Sequence, residues 1–159
     1  MSGGAWFITP WAPWMAPLHW LTMSAKLLVI DDENGILEEV KSYFEEEGFQ
    51  VFTADSGEEG IQILKREKPD VLLVDMKLPD MSGLLVLKVA KESSPLTKVI
   101  VNTGYVDQVM IDQAEELGRD VFLQKPFDLV CLKKEVEKLL GMWWEETGNR
   151  ITETRLDRF

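Results

Sequence analysis

Residues 71–79, Val-Leu-Leu-Val-Asp-Met-Lys-Leu-Pro, place the carboxylate of Asp75 directly after four apolar residues. Pro69-Asp70 precedes this run and Ser82-Gly83 follows it, so the pattern predicts a buried strand that ends in a loop. In open α/β sheets, ligands bind beyond the carboxyl ends of the strands. Asp75 is therefore a candidate site residue.

Three other apolar runs end in polar side chains. They are Leu27-Leu-Val-Ile30, Val99-Ile-Val101 and Val121-Phe-Leu123. The carboxyl ends of parallel strands meet at one edge of a sheet, so we expect the polar residues that follow to share one rim. The set consists of Asp31, Asp32, Asp75, Thr103 and Lys125.

The chemistry of this set is restrictive. Clustered carboxylates raise one another's pKa unless a cation compensates their charge, and Mg2+ prefers such hard oxygen ligands. A lysine and a threonine hydroxyl offer a positive charge and donors for a phosphoryl group, and an aspartate can act as its nucleophile. Phosphoryl transfer depends mainly on positioning and charge neutralisation, which these side chains supply.

The order of these residues resembles the receiver domain of response regulators in two-component signalling, over about residues 26–140. Pro79 and Gly83, four and eight residues after Asp75, agree with the family pattern. The resemblance implies a doubly wound, five-stranded parallel sheet of the flavodoxin-like (βα)5 type with strand order 2-1-3-4-5. It also implies a cis Lys125–Pro126 peptide, although trans is favoured from the sequence alone.

The resemblance also assigns roles to the residues. Asp75 would be the phosphoacceptor, and Thr103 and Lys125 would contact the phosphoryl oxygens. Asp32 and Asp75 would bind Mg2+ directly, together with the backbone carbonyl of Lys77, and Asp31 would act through water.

Further positions concern switching and phosphoryl lifetime. Phe122 occupies the aromatic switch position three residues before Lys125, and without a hydroxyl it would act through packing alone. Lys77 and Tyr105 border the route of the attacking water in the family. The alternatives are a plain core residue for Phe122 and solvated loop residues for the other two. Glu33 is expected to place a favourable charge near the start of the first helix, and metal binding by it is disfavoured.

Strand and helix patterns alternate along the chain, which predicts five βα units. We expect strands at about 26–30, 49–53, 71–75, 98–102 and 121–124. We expect helices at about 34–47, from 56 to the Lys68-Pro69 pair, and at 84–92, 106–117 and 129–140.

The two ends of the chain differ from this pattern. Residues 1–24 are rich in Trp and Pro, lack charged side chains, and are expected to be disordered or to lie upstream of the true start at Met23. The alternative is an aromatic segment that docks on a partner or a membrane surface. We expect the receiver domain at 25–141 and a tail at 142–159, in which Trp143 and Trp144 pack near the fifth helix.

Composition limits the functions that the chain can have. Its 28 acidic residues outnumber the 17 basic ones, for a formal net charge of -11, which argues against nucleic-acid binding. The single cysteine, Cys131, predicts a structural thiol and excludes an intrachain disulfide. The only histidine, His19, lies in the leader, and no apolar stretch is long enough to span a bilayer.

We therefore expect a cytoplasmic, single-domain response regulator. It would take a phosphoryl group from a sensor histidine kinase or phosphotransfer protein onto Asp75 with Mg2+, and signal by binding a downstream protein. It would be a phosphoacceptor that assists its own phosphorylation and dephosphorylation, rather than an enzyme. A phosphorylation-dependent dimer would form through the face of the fourth helix, fifth strand and fifth helix.

Two alternatives come from other classes. One is an interaction module that no longer depends on phosphorylation, and the complete set of site residues counts against it. The other is an aspartyl-nucleophile phosphatase of the haloacid dehalogenase type. That family has a second acid two residues after the nucleophile, where this chain has Lys77.

Overall fold

A computed structural model of the protein describes residues 25–104 and 107–147, with residues 142–147 described through their backbone alone. In the described part, five parallel strands form one sheet in the order β2-β1-β3-β4-β5, which confirms the predicted topology. The strands are β1 (Lys26–Ile30), β2 (Gln50–Ala54), β3 (Val71–Asp75), β4 (Lys98–Thr103) and β5 (Val121–Gln124). β2 begins one residue later than predicted.

Helices cover both faces of this sheet, and this explains why its strands are so apolar. They are α1 (Asn34–Glu46), α2 (Gly57–Glu67), α3 (Gly83–Ser93), α4 (Gln108–Glu116) and α5 (Leu129–Thr147). Side chains alternate along β1: Leu27 and Val29 join the core under α1 and α5, whereas Leu28 and Ile30 join the core under α2, α3 and α4. Every residue of β3 is buried.

The helix boundaries follow local chemistry. Gly48 and Gly118 follow α1 and α4 with φ of 94° and 90°, as expected of glycines that end helices. α4 begins at Gln108 because the Asp107 side chain caps it, accepting the backbone N–H of Val109 at 2.9 Å. The predicted end of α5 near Gly141 was wrong: the helix continues to Thr147.

The loop between β3 and α3 fixes the backbone at the end of β3. The backbone N–H of Gly83 donates to the carbonyl of Met76 at 2.8 Å. A Cβ atom at Gly83 would overlap the carbonyl of Asp75, so only glycine fits this close approach. The packing of Gly83 thereby helps to position Asp75.

Several predictions concern residues outside the described part of the chain. They include those on the leader (1–24), on Tyr105 and on the tail side chains, Trp143 and Trp144 among them. Among the described residues, no helix has both the length and the apolar character needed to cross a membrane.

Candidate functional site

The structure brings three aspartates together at the carboxyl ends of β1 and β3. One carboxylate oxygen from each of Asp31, Asp32 and Asp75 lies within 4.8 Å of the other two. Asp31 and Asp75 are buried, whereas Asp32 is exposed. The cluster therefore has two buried anionic groups and one that faces solvent.

Lys125 is the counter-ion of this cluster. Its Nζ lies 2.8 Å from Asp31 Oδ2, 3.0 Å from Asp75 Oδ2 and 3.1 Å from Glu33 Oε1. Burial alone would lower the pKa of Lys125, but the hydrogen bonds to the three carboxylates outweigh burial and raise that pKa above its ordinary value. The ammonium is thus a permanent positive charge beside Asp75. The backbone N–H of Lys125 donates to the carbonyl of Thr103 at 2.9 Å, and the Lys125–Pro126 peptide is cis.

Asp75 lies in a setting that restrains both of its carboxylate oxygens. Oδ1 accepts the backbone N–H of Lys77 at 3.1 Å, and Oδ2 accepts Lys125 Nζ. Burial raises the pKa of Asp75 above its ordinary value, and the hydrogen bonds from Lys125 and Lys77 act in the opposite direction. The carboxylate is held in one orientation at the end of a fully buried strand.

Thr103 and Phe122 line a small apolar cavity behind the site. It is too tight to admit a water molecule, and Met76, Val101, Met110 and Ala114 contribute to its wall. Phe122 is partly buried against the core, and the Arg119 guanidinium carbon lies 5.9 Å from its ring centroid. Packing and this cation–π contact therefore hold the ring.

The donor set of the aspartate cluster fits a hard divalent cation. Mg2+ favours carboxylate and carbonyl oxygens and binds through one or two carboxylates with retained waters. The three aspartates supply such oxygens, and Lys125 is the only described residue that forms ion pairs with two of them. The cluster is thus one that could hold a metal ion.

Two residues at the site escaped the sequence analysis or were given another role. Glu33 stands at the N-cap position of α1, as its predicted role requires, yet its carboxylate caps no backbone N–H and pairs instead with Lys125. Asn102 pairs in register with Asp75 and is 1% exposed. A polar residue after Val99-Ile-Val101 was the available signal for Asn102, and none in the sequence linked Glu33 to Lys125.

An open groove runs from Lys125 between α1 and the start of α5. Its volume is about 450 Å³, and it is lined by Glu33, Ile36, Glu39, Val40, Gly104, Lys125, Pro126, Phe127 and Leu129. The groove places an apolar floor beside a charged site.

Comparison with known proteins agrees with this fold and site. The family model described as the response regulator receiver domain matches residues 27–137. The chain belongs to this family of phosphoacceptor signalling proteins. A similar curated protein is the sporulation initiation phosphotransferase F of Bacillus subtilis, 37% identical over 120 residues that cover 76% of this chain and 97% of that protein. The cyclic di-GMP phosphodiesterase of Thermotoga maritima is 33% identical over 114 residues, but these cover 30% of its length.

Solved structures show the same architecture. A CheY-like receiver domain protein from Methanospirillum hungatei is similar with a TM-score of 0.73 and 30% identity, over 74% of this chain and 94% of that one. A receiver domain protein from Clostridium thermocellum has a TM-score of 0.70 and 35% identity, over 74% of this chain and 95% of that one. The resemblance deduced from the ordered site residues is confirmed.

Proposed function

We propose that this protein accepts a phosphoryl group on Asp75 and signals through the change that follows. The observation that carries the proposal is the position of Asp75, buried at the end of β3 with Lys125 Nζ 3.0 Å from one oxygen and Asp31 and Asp32 beside it. The arrangement supplies a nucleophile, a fixed positive charge and a set of oxygen ligands at one point. These are the components that phosphoryl transfer requires.

The transfer step is a displacement at phosphorus. A carboxylate oxygen of Asp75 forms a bond to the phosphorus atom while the bond to the donor breaks, and the electron pair leaves with the donor. With a phosphohistidine donor the leaving group is the imidazole nitrogen, and with acetyl phosphate it is acetate. The product is an acyl phosphate on Asp75.

Asp32, Asp75 and the backbone carbonyl of Lys77 would hold Mg2+ directly, and Asp31 through water. When bound, the ion would neutralise charge on the transferring phosphoryl group. Asp31 and Asp75 already share Lys125 as a counter-ion, so they remain close together at the rim.

Lys125 and Thr103 would contact the phosphoryl oxygens. Lys125 already reaches the Asp75 carboxylate, and Thr103 follows Asn102, the register partner of Asp75. New contacts at Thr103 would pull on the end of β4 and on the cavity that this residue shares with Phe122. Phosphorylation, a local change of charge, would in this way shift the conformational equilibrium of the α4-β5-α5 face. The shift would be transmitted through packing alone.

We propose a sensor histidine kinase or a phosphotransfer protein as the donor and a downstream protein as the target. A dimer through the α4-β5-α5 face in the phosphorylated state belongs to the same proposal. Val109 on α4 and Val130 on α5 support a protein target, since both are large exposed apolar side chains, 63% and 55% exposed.

The proposal is tested with acetyl phosphate and Mg2+, followed by intact-mass measurement. The wild type should gain one phosphoryl group, labile to hydroxylamine as an acyl phosphate is, and the gain should be lost in EDTA. Asp75→Asn should fold and remain unlabelled, because an amide is a poor nucleophile.

Asp112→Asn is the matched control, since Asp112 is an exposed aspartate of α4, away from the site. It should be labelled like the wild type. Labelling of Asp75→Asn at the wild-type rate would contradict the assignment of Asp75, and full labelling in EDTA would contradict the role of the metal.

A further inference from the structure

We infer that Glu33 competes with the phosphoryl group for Lys125. Glu33 thereby strengthens Mg2+ binding and slows phosphorylation. This inference rests on the proposed function and adds a positioning residue to its site. Its basis is the 3.1 Å contact between Glu33 Oε1 and Lys125 Nζ.

Carboxylates surround the ammonium of Lys125, and it donates hydrogen bonds to two of them, Glu33 Oε1 at 3.1 Å and Asp75 Oδ2 at 3.0 Å. An ammonium carries three N–H donors. In this structure three carboxylates, those of Asp31, Glu33 and Asp75, lie within 3.1 Å of Nζ. A phosphoryl oxygen that binds Lys125 therefore competes with these carboxylates for the same ammonium.

The three carboxylates are not equivalent. Asp31 and Asp75 belong to the aspartate cluster, and their side chains are 1% and 8% exposed. Glu33 lies outside the cluster, and its side chain is 61% exposed. A metal ion in the cluster would offset the charge of Asp31 and Asp75 and weaken their attraction to Lys125, whereas the attraction between Glu33 and Lys125 would remain. Glu33 is thus the competitor that remains when the phosphoryl group arrives.

The same carboxylate has the opposite effect on a cation. In the described part of the chain, Glu33 adds a fourth carboxylate to a site with one ammonium. Opposite charges attract over these distances, and drawing Lys125 towards Glu33 weakens the lysine's hold on the aspartates. Glu33 therefore favours Mg2+ and disfavours an anionic phosphodonor.

The variant Glu33→Gln separates these effects, because it keeps the shape and removes the charge. Mg2+ affinity, measured by isothermal titration calorimetry, should fall about two- to fivefold, the range of an exposed ion pair. Labelling by acetyl phosphate at saturating Mg2+ should become faster by about the same factor. A variant that is merely damaged would not bind the cation more weakly and react faster.

Glu39→Gln is the matched control. Glu39 lies on α1, whose N-cap position Glu33 occupies, and it lines the same groove, but it forms no ion pair with any residue that the structure describes. It should change both quantities by clearly less than Glu33→Gln does. Equal effects of the two substitutions would overturn the inference, because the contact with Lys125 would then be irrelevant.

A double-mutant cycle tests the competition itself. In a Lys125→Ala background, Glu33→Gln should no longer accelerate labelling, since there is no ammonium to release. Persistence of the acceleration would mean that Glu33 acts by charge alone, which contradicts competition. If the wild type accepts no phosphoryl group at all, the proposed function fails. The calorimetric comparison of Glu33→Gln with Glu39→Gln would still decide whether Glu33 acts on the metal site.

Discussion

The carboxylate of Asp80 lies across the amino end of α2, where its Oδ1 accepts the backbone N–H of Gly57 at 2.8 Å. Its Oδ2 accepts the N–H of Glu58 at 2.9 Å, and the helix's own cap, Ser56, accepts the N–H of Glu59 at 3.3 Å. Asp80 belongs to the same loop as Lys77, which follows Asp75. The Asp80 cap therefore ties the loop that follows β3 to α2.

The Asp80 cap predicts a pH-dependent contribution to stability. The hydrogen bonds from Gly57 and Glu58 lower the pKa of Asp80 below its ordinary value. A folded-state pKa below the unfolded one gives stability that is present above about pH 3.9 and is lost as pH falls through the folded value. Asp80→Asn should lower the Tm at pH 7, and the difference from the wild type should shrink towards pH 3. Thermal unfolding followed by circular dichroism checks this, and a difference that is constant with pH would contradict it.

Asn102 predicts a gain of stability on substitution. Its side chain is 1% exposed, and neither amide atom has a hydrogen-bond partner among the described residues. Leaving a buried polar group unpaired costs about 1–3 kcal/mol. Asn102→Val should therefore raise the free energy of unfolding by about 1 kcal/mol or more.

Asn102→Thr is the matched comparison, because threonine has the shape of valine and keeps a hydroxyl. It should be less stable than Asn102→Val in urea unfolding. A net loss of stability in Asn102→Val would show that the amide has a partner in solution, such as a buried water.

Two threonines lie at opposite ends of β4, and we expect their substitution to have opposite effects on stability and on labelling. The Thr97 hydroxyl, just before the strand, donates to the carbonyl of Pro69 at 2.6 Å and lies 2.6 Å from Ser94 Oγ. Thr97→Val should lower the free energy of unfolding by about 1–3 kcal/mol and leave labelling of the folded protein unchanged. Thr103→Val should slow labelling by acetyl phosphate and cost less stability. Equal labelling rates for the two variants would remove Thr103 from the phosphoryl site.

The fold and the centre of the site could be predicted from the sequence because their signals are local. The apolar run before Asp75 and the turn residues after it marked the end of the strand, whereas the strand order 2-1-3-4-5 came from the resemblance to receiver domains. Gly48 and Gly118 ended their helices as predicted because both adopt positive φ. Gly141 differs: it is not among the positive-φ glycines, and a Cβ atom there would meet nothing within 4 Å, so the helix passes through it.

The remaining features depend on contacts between residues far apart in sequence. Glu33 and Lys125 are 92 residues apart, and Asp80 and Gly57 are 23 apart. Neither pair has a spacing that marks it, because the twist of the sheet and the course of the loops bring the partners together. An exposed glutamate at a helix start and an aspartate in a turn are both common for local reasons. Their residue types therefore give no indication of the contacts with Lys125 and Gly57.

We expect the removal of the Lys125 ammonium to lower the stability of the protein and to strengthen its binding of Mg2+. Removing its ammonium leaves Asp31 and Asp75 buried without their counter-ion. Breaking a buried ion pair by removing one partner typically costs about 3–5 kcal/mol, so Lys125→Ala should unfold at a clearly lower temperature in EDTA. A cation that binds the folded state alone restores stability, and without the competing ammonium Mg2+ should bind more tightly than in the wild type.

The measurement is the Tm of each protein across a Mg2+ titration. Mg2+ should raise the Tm of Lys125→Ala by more than it raises that of the wild type. Lys133→Ala is the control, because Lys133 forms a partly exposed ion pair with Glu47 at 2.9 Å, away from the aspartates. Such a pair contributes at most about 1 kcal/mol, and its loss should leave the response to Mg2+ unchanged. A Lys125→Ala protein as stable in EDTA as Lys133→Ala, or one that binds Mg2+ more weakly than the wild type, would show that Lys125 is not the counter-ion of the aspartate cluster.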